Sequence, residues 1–123
     1  MELHTVLYII NATLLVLHEI ESAYEKEWEI LNLSGGVTGF ILVHIPILLV
    51  LFYGVLQIDK QTLFGGWIGI ITGFCGLIPF FVHKILFKRK DKFNLPISNI
   101  LIYLNIATGI GLFMLSINLV RFF

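Results

Sequence analysis

Between Leu17 and Ile30 the chain reads Leu-His-Glu-Ile-Glu-Ser-Ala-Tyr-Glu-Lys-Glu-Trp-Glu-Ile, placing one histidine and five carboxylates at the end of an apolar run. His18, Glu21, Glu25 and Trp28 recur at steps of three and four residues, so on a helix they form one stripe, which Asn11 joins from seven residues upstream. His44 and His83 lie in later apolar runs, and Ser98, Asn99 and Asn105 fall near the start of the last one. Neutral imidazoles with a carboxylate are a donor set for zinc, or for iron with open positions. His18 and Glu21, at i and i+3, can reach one ion together, as the paired ligands of carboxylate bundles do. The expected metal ligands are therefore His18, Glu21, His44 and His83. Glu25, one turn nearer water, is a candidate proton relay, with Glu21 or Glu25 as general base. Ser98 or Asn105 would orient a bound water or polarise a substrate carbonyl.

The plainer account of the same residues is interhelical packing, because polar side chains in lipid hydrogen-bond to one another with or without chemistry. A charge at the centre of a membrane helix costs roughly 2.5–3.5 kcal/mol. Near the interface it is much cheaper, so Glu25, Glu27 and Glu29 also read as solvated. Asn11 reads as a helix-packing contact.

The elements that carry these groups are membrane spans. With 123 residues, 58% hydrophobic, 13% charged and a mean hydropathy of +0.95, the composition is unlike that of a soluble globular domain. Four apolar runs each approach or exceed the roughly 20 residues that cross a bilayer core. The expected fold is all-α: a single-domain, polytopic up-down bundle of four transmembrane helices, over about 3–31, 36–57, 63–88 and 96–121. The first run lacks a basic leader and a small-x-small cleavage site, so it reads as a span rather than a signal peptide. A formal net charge of zero argues against nucleic acid as a partner and leaves membrane lipids, with a homo-oligomer kept open. The single cysteine, Cys75, admits no internal disulfide and no Cys-x-x-Cys pair.

Within the third run Gly65, Gly69 and Gly73 repeat at i+4 and are followed by Gly76, a pattern that lets a neighbouring helix approach closely in lipid. Pro46 frees the carbonyl of Leu42 and Pro79 that of Cys75, so both helices are expected to bend there. Call the side reached at the end of the first span the B side. It collects Lys26, Lys84, Lys88, Arg89, Lys90 and Lys92, against Lys60 and Arg121 on the A side. The positive-inside rule then makes B cytoplasmic and both termini extracytoplasmic, in a multi-pass protein of the cell membrane. The basic loop 87–93 is expected to meet anionic headgroups. Counting about 1.5 Å per residue from the B boundary puts His18 roughly 9 Å deep, His44 roughly 12 Å and His83 about 5–8 Å, with Ser98 to Asn105 over about 3–14 Å. Three helices thus bring one histidine each to the same half of the bilayer. His4 belongs to the opposite surface and stands outside this set.

Three stretches carry a family resemblance. They are His18-Glu19-Ile20-Glu21-Ser22-Ala23, Glu27-Trp28-Glu29-Ile30 and His44-Ile45-Pro46-Ile47. They resemble a widespread family of small prokaryotic membrane proteins designated only as a domain of unknown function. Its members read approximately His-Glu-[Leu/Met]-Asp-Ala, Glu-Trp-Arg-Ile and His-[Ile/Val]-Pro-Leu. His83 and Ser98 are also similar to its pattern. Glu21 replaces the usual aspartate, and Glu29 the usual arginine, which removes any ion pair that arginine would make. The resemblance implies a four-span fold and no particular activity.

On the residues themselves, the leading expectation is an intramembrane, metal-dependent, hydrolase-like enzyme acting on a lipid or other hydrophobic substrate. The alternatives are a haem b electron carrier using His18 and His44, and a non-enzymatic accessory subunit or small transporter whose polar residues are glue. Against transport stand the lack of a clear inverted repeat and a polar set that does not cross the whole membrane. Topology is testable now. In a Cys75→Ser background, Glu2→Cys and Lys90→Cys are expected to label from opposite faces of sealed vesicles, and labelling of both from one face would overturn the four-span reading.

Overall fold

The structure, a computed structural model, describes residues 2–86 and 95–123. The chain runs through α1 (Leu3–Tyr24), α2 (Glu27–Ile30), α3 (Gly36–Asp59), α4 (Leu63–Cys75), α5 (Ile78–Phe80), a π-helical turn over Phe81–Leu86, and α6 (Pro96–Arg121). No strand occurs among the described residues. Four stretches, Leu3–Tyr24, Gly36–Asp59, Leu63–Lys84 and Pro96–Arg121, are long and apolar enough to cross a membrane. They pack as an all-helical bundle, the arrangement of a multi-pass membrane protein. The basic loop 87–93 expected to meet headgroups lies wholly outside the described residues.

Two spans differ from their expected extents, each for a backbone reason. The first helix does not continue to residue 31. It ends at Tyr24, and Lys26 turns into the left-handed region at φ 52° before Glu27–Ile30 forms a separate turn of helix. That turn closes in the same manner: Asn32 is left-handed at φ 58°, Asn32 N–H bonds the Glu29 carbonyl at 3.2 Å, and Leu33 N–H reaches back to Trp28 at 2.7 Å. This crossed pair satisfies carbonyls that a helix end leaves open. Gln61 ends α3 likewise, with Thr62 N–H on the Gln57 carbonyl at 3.1 Å. The third span is also interrupted rather than continuous to residue 88. Pro79 cannot donate to Cys75, α4 stops there, and the chain resumes through a short helical turn into a π-helical one.

The third and fourth spans make the closest contact. Gly65, Gly66, Gly69 and Gly73 are all buried. A methyl group at Gly73 would fall 2.7 Å from the Gly109 carbonyl oxygen and 2.9 Å from Phe113 N, and one at Gly109 would fall 2.6 Å from the Gly73 carbonyl. Backbone therefore lies on backbone, as the glycine spacing predicts. α3 fully buries only Gly54 and Ile58, packs Leu51 and Val55 partly against the core, and turns most of its other apolar side chains outward, as a peripheral span in lipid should.

Around this contact α1 lays a buried face of His4, Thr5, Tyr8, Asn11, Leu14, His18 and Ser22 against the bundle. Tyr8, Ile58, Ile68 and Leu112 form its apolar core, and the Tyr8 hydroxyl donates to the Leu51 carbonyl at 2.8 Å. His4 is buried within the bundle, with Nε2 2.8 Å from Ser116 Oγ, while Thr5 donates to Asp59 at 3.2 Å. Buried polar groups thus recur along the full length of α1, further than hydropathy suggests. Gly73→Leu is expected to lower bundle stability by about 2 kcal/mol or more through overpacking, whereas Ile71→Leu, at a position 58% exposed, should change little. Equal melting temperatures in detergent would remove the close contact from the account.

Candidate metal centre

Pro79 and the π-helical turn together place His83 against α1. Its Nε2 lies 3.4 Å from His18 Nε2, with ring centroids 5.0 Å apart and planes at 59°. π-Turns are uncommon and recur at functional sites, because the extra residue in the turn re-aims a side chain. The left-handed turn at Lys26 supplies the third group. It folds the chain back at the end of α1, so that Glu27 Oε1 comes within 3.7 Å of His83 Nε2. His18, Glu27 and His83 each offer a ligand atom, all within 4.8 Å of one another. Tetrahedral zinc with bonds of about 2.0–2.1 Å holds its ligand atoms about 3.3–3.4 Å apart. The histidine nitrogens already stand at that separation, and Glu27 Oε1 is 3.7 Å from His83 Nε2.

The Glu27 carboxyl is half-buried, and its pKa is raised above the ordinary value chiefly by desolvation. The neighbouring Ser22 hydroxyl and His44 act the other way, while the charges of Glu19 and Glu21 add to the rise. A carboxyl held in that surrounding gains from a cation beside it, which relieves the cost of its charge.

The other expected ligands take different partners. Glu21 accepts a hydrogen bond from the Ser98 hydroxyl, which joins α1 to α6. Its place beside the two histidines belongs to Glu27, because the chain breaks after Glu25 and so changes which carboxylate faces them. His44 donates from Nδ1 to the Phe40 carbonyl at 2.6 Å, and its Nε2 lies 2.6 Å from Glu19 Oε2. Both ring nitrogens of His44 are thereby engaged, and it stands beside the three-residue cluster rather than in it. Glu25 is the residue that ends α1 and is 9% exposed, so it is not simply solvated. Asn105 is fully buried on α6, and among the described residues its amide has no hydrogen-bond partner. Asn11 does, donating to the Thr72 carbonyl at 3.0 Å and accepting from Thr108 at 2.9 Å.

Glu27 and Glu19 were not among the expected ligands. Glu27 stands in the Glu27-Trp28 stretch that carries the family resemblance, and that stretch was the available signal. Beside the cluster runs a cavity of about 630 Å³ between α1, α3 and the third span. His18, Glu19, Glu27 and His44 line it, and apolar residues make up nearly all the rest. Its lining includes Ile47, Val50, Ile71 and Ile78, which are 43–58% exposed, so the cavity is a groove in the outer face of the bundle.

These features define a four-span membrane bundle with a His/Glu cluster buried in the half reached at the end of the first span. The chain belongs to a family of unknown function, DUF6713, whose model matches residues 4–119. Comparison with curated proteins and with solved structures finds no match.

The two asparagines give a test of which polar groups hold the bundle. Asn11→Leu is expected to cost about 1–3 kcal/mol, because it removes two hydrogen bonds between helices, to the Thr72 carbonyl and from the Thr108 hydroxyl. Asn105→Leu should be close to neutral. Equal losses, read from melting in the same detergent, would count against this division.

Proposed function

We propose that this protein is a membrane-embedded metal-dependent enzyme of hydrolase type, with zinc held by His18, His83 and Glu27. The observation that carries this is the convergence of two imidazoles and a carboxylate, from three separate segments, within 4.8 Å. Three protein ligands are the usual number in a catalytic zinc site, which keeps a further position for water or substrate and acts as a Lewis acid. His18 and Glu27 also line the apolar groove, so the centre adjoins the space through which a hydrophobic substrate would arrive from the bilayer. Glu21, fixed by Ser98 on the next turn from His18, is assigned proton transfer. In this reading the B side is cytoplasmic, as the distribution of basic residues argues.

A second reading has one specific observation in its favour: His83 already stands against both His18 and Glu27, which is how polar groups in a bundle satisfy themselves without a metal. Elemental analysis separates the two. Protein purified in detergent and equilibrated with zinc is expected to retain about one ion per chain, and His83→Ala and Glu27→Gln to lose at least about tenfold in affinity. His44→Gln should keep the metal. No retained zinc in the wild type, with a melting temperature indifferent to added metal, would leave the packing reading.

A further inference from the structure

A second, smaller cavity meets the groove at the cluster. It has a volume of about 290 Å³ and is lined by Glu19, Glu27, Trp28, Phe40 and His44 together with the turn between α2 and α3. Three of those residues, Glu19, Glu27 and His44, line the groove as well, so the two spaces share a boundary. Trp28 and Phe40 stand with ring centroids 5.3 Å apart, and Phe40 and His44 with theirs 4.1 Å apart, which makes a row of three rings. Among the described residues that line either cavity there is no lysine or arginine.

The two spaces lie at different heights in the bundle, and both are mostly apolar in lining. The smaller one lies at the end of the bundle, among residues of the interfacial turn such as Ser34 and Gly36. The groove runs from there toward the other side, and its lining on the third span extends from Val82 back to Ile68. Fourteen residues of helix correspond to roughly 20 Å. A molecule occupying both would keep a head near the interface and an apolar chain inside the bilayer, the orientation of an amphiphile in the adjoining leaflet. The head cavity offers two carboxylates and aromatic ring faces. Carboxylates attract a cation, and ring faces recognise an ammonium group through its interaction with the π-system, most of all when water is excluded. An anionic head would meet the Glu27 carboxyl and, apart from His44, which is already paired with Glu19, no basic side chain among the described lining of this cavity.

We propose that the two cavities together bind a long-chain amphiphile with an ammonium head group, its head against Trp28, Phe40 and Glu19 and its chain in the groove. The proposal deepens the reading above, since the junction of head and chain then falls beside Glu27 and His18, but the binding itself rests on the cavities and not on the metal.

The test uses full-length protein in nanodiscs of neutral lipid, with a Trp67→Phe background so that Trp28 reports alone. Dodecyltrimethylammonium, dodecyl sulfate and dodecyl maltoside are titrated in turn, which holds the chain constant and varies the head. The ammonium compound is expected to quench or shift Trp28 fluorescence at concentrations at least about tenfold lower than the other two. Glu19→Gln and Phe40→Ala, each checked for an unchanged helical spectrum, should remove most of that preference. His83 lines neither cavity, so His83→Ala should abolish zinc retention and leave the ammonium preference intact. Equal affinity for the three heads, or a preference that survives Glu19→Gln, would overturn the proposal. Loss of zinc binding without loss of the ammonium preference bears only on the metal, so the two readings fail separately.

Discussion

The contact of Gly73 with Gly109 is the constraint on which the remaining geometry depends. Lipid tails are as apolar as leucine, so helices in a bilayer gain little by hiding apolar side chains from their surroundings. Close packing and polar contacts must do the work instead. Here the third and fourth spans meet backbone to backbone, with Gly76 close enough to the Asn105 carbonyl and the Asn11 amide that a methyl group there would lie 2.8 Å from each. That approach draws α1 onto the same seam. Its buried face then meets α6 residue by residue in antiparallel order, His4 with Ser116, Asn11 with Thr108 and Glu21 with Ser98. The polar groups are ordered along the bundle because the glycines let the backbones close.

Much of this order is legible from residue types. Runs of apolar residues mark the four spans, the i+4 glycines mark the seam, and counting along the helices puts three histidines in one half of the bilayer. The pairing of His18 with His83 agrees with that shared half, but it takes the break at Pro79 and the π-helical turn to aim His83 at α1. What does not follow is the identity of the carboxylate. A helical stripe through Glu21 and Glu25 is the natural extrapolation, and the stripe is broken by a left-handed lysine. Such a residue is uncommon outside glycine and asparagine, and nothing in the composition around Lys26 announces it. One backbone reversal therefore exchanges Glu21 for Glu27.

His44 illustrates a different limit. Depth along a helix does not determine which neighbour a side chain faces. Pro46 leaves α3 unbroken, and the imidazole bonds back to the Phe40 carbonyl of the preceding turn, which leaves only Nε2 to reach α1. Glu19 meets it there, on the residue next to His18 and so on another face of the same helix. The smaller cavity exists because of this pair, since Glu19 and His44 stand between the groove and the ring of Trp28 and Phe40.

The geometry bears on the choice between the zinc proposed above and a haem. A haem between two histidines needs a free ring nitrogen on each, with the macrocycle between them. His44 has both nitrogens engaged, by the Phe40 carbonyl and by Glu19, each at 2.6 Å. His18 and His83 have their Nε2 atoms only 3.4 Å apart, with tilted rings, which leaves no slot for a planar macrocycle. A small ion bridging neighbouring corners of a tetrahedron asks for the separation that is found, about 3.3–3.4 Å for zinc. The carboxylate completes that set only because Glu27 is folded back over the histidines, and the same fold leaves Trp28 facing the adjoining cavity. The proposed metal ligand and the proposed head-group contact are thus consecutive residues of one short helix, so whatever orders Glu27–Ile30 orders both.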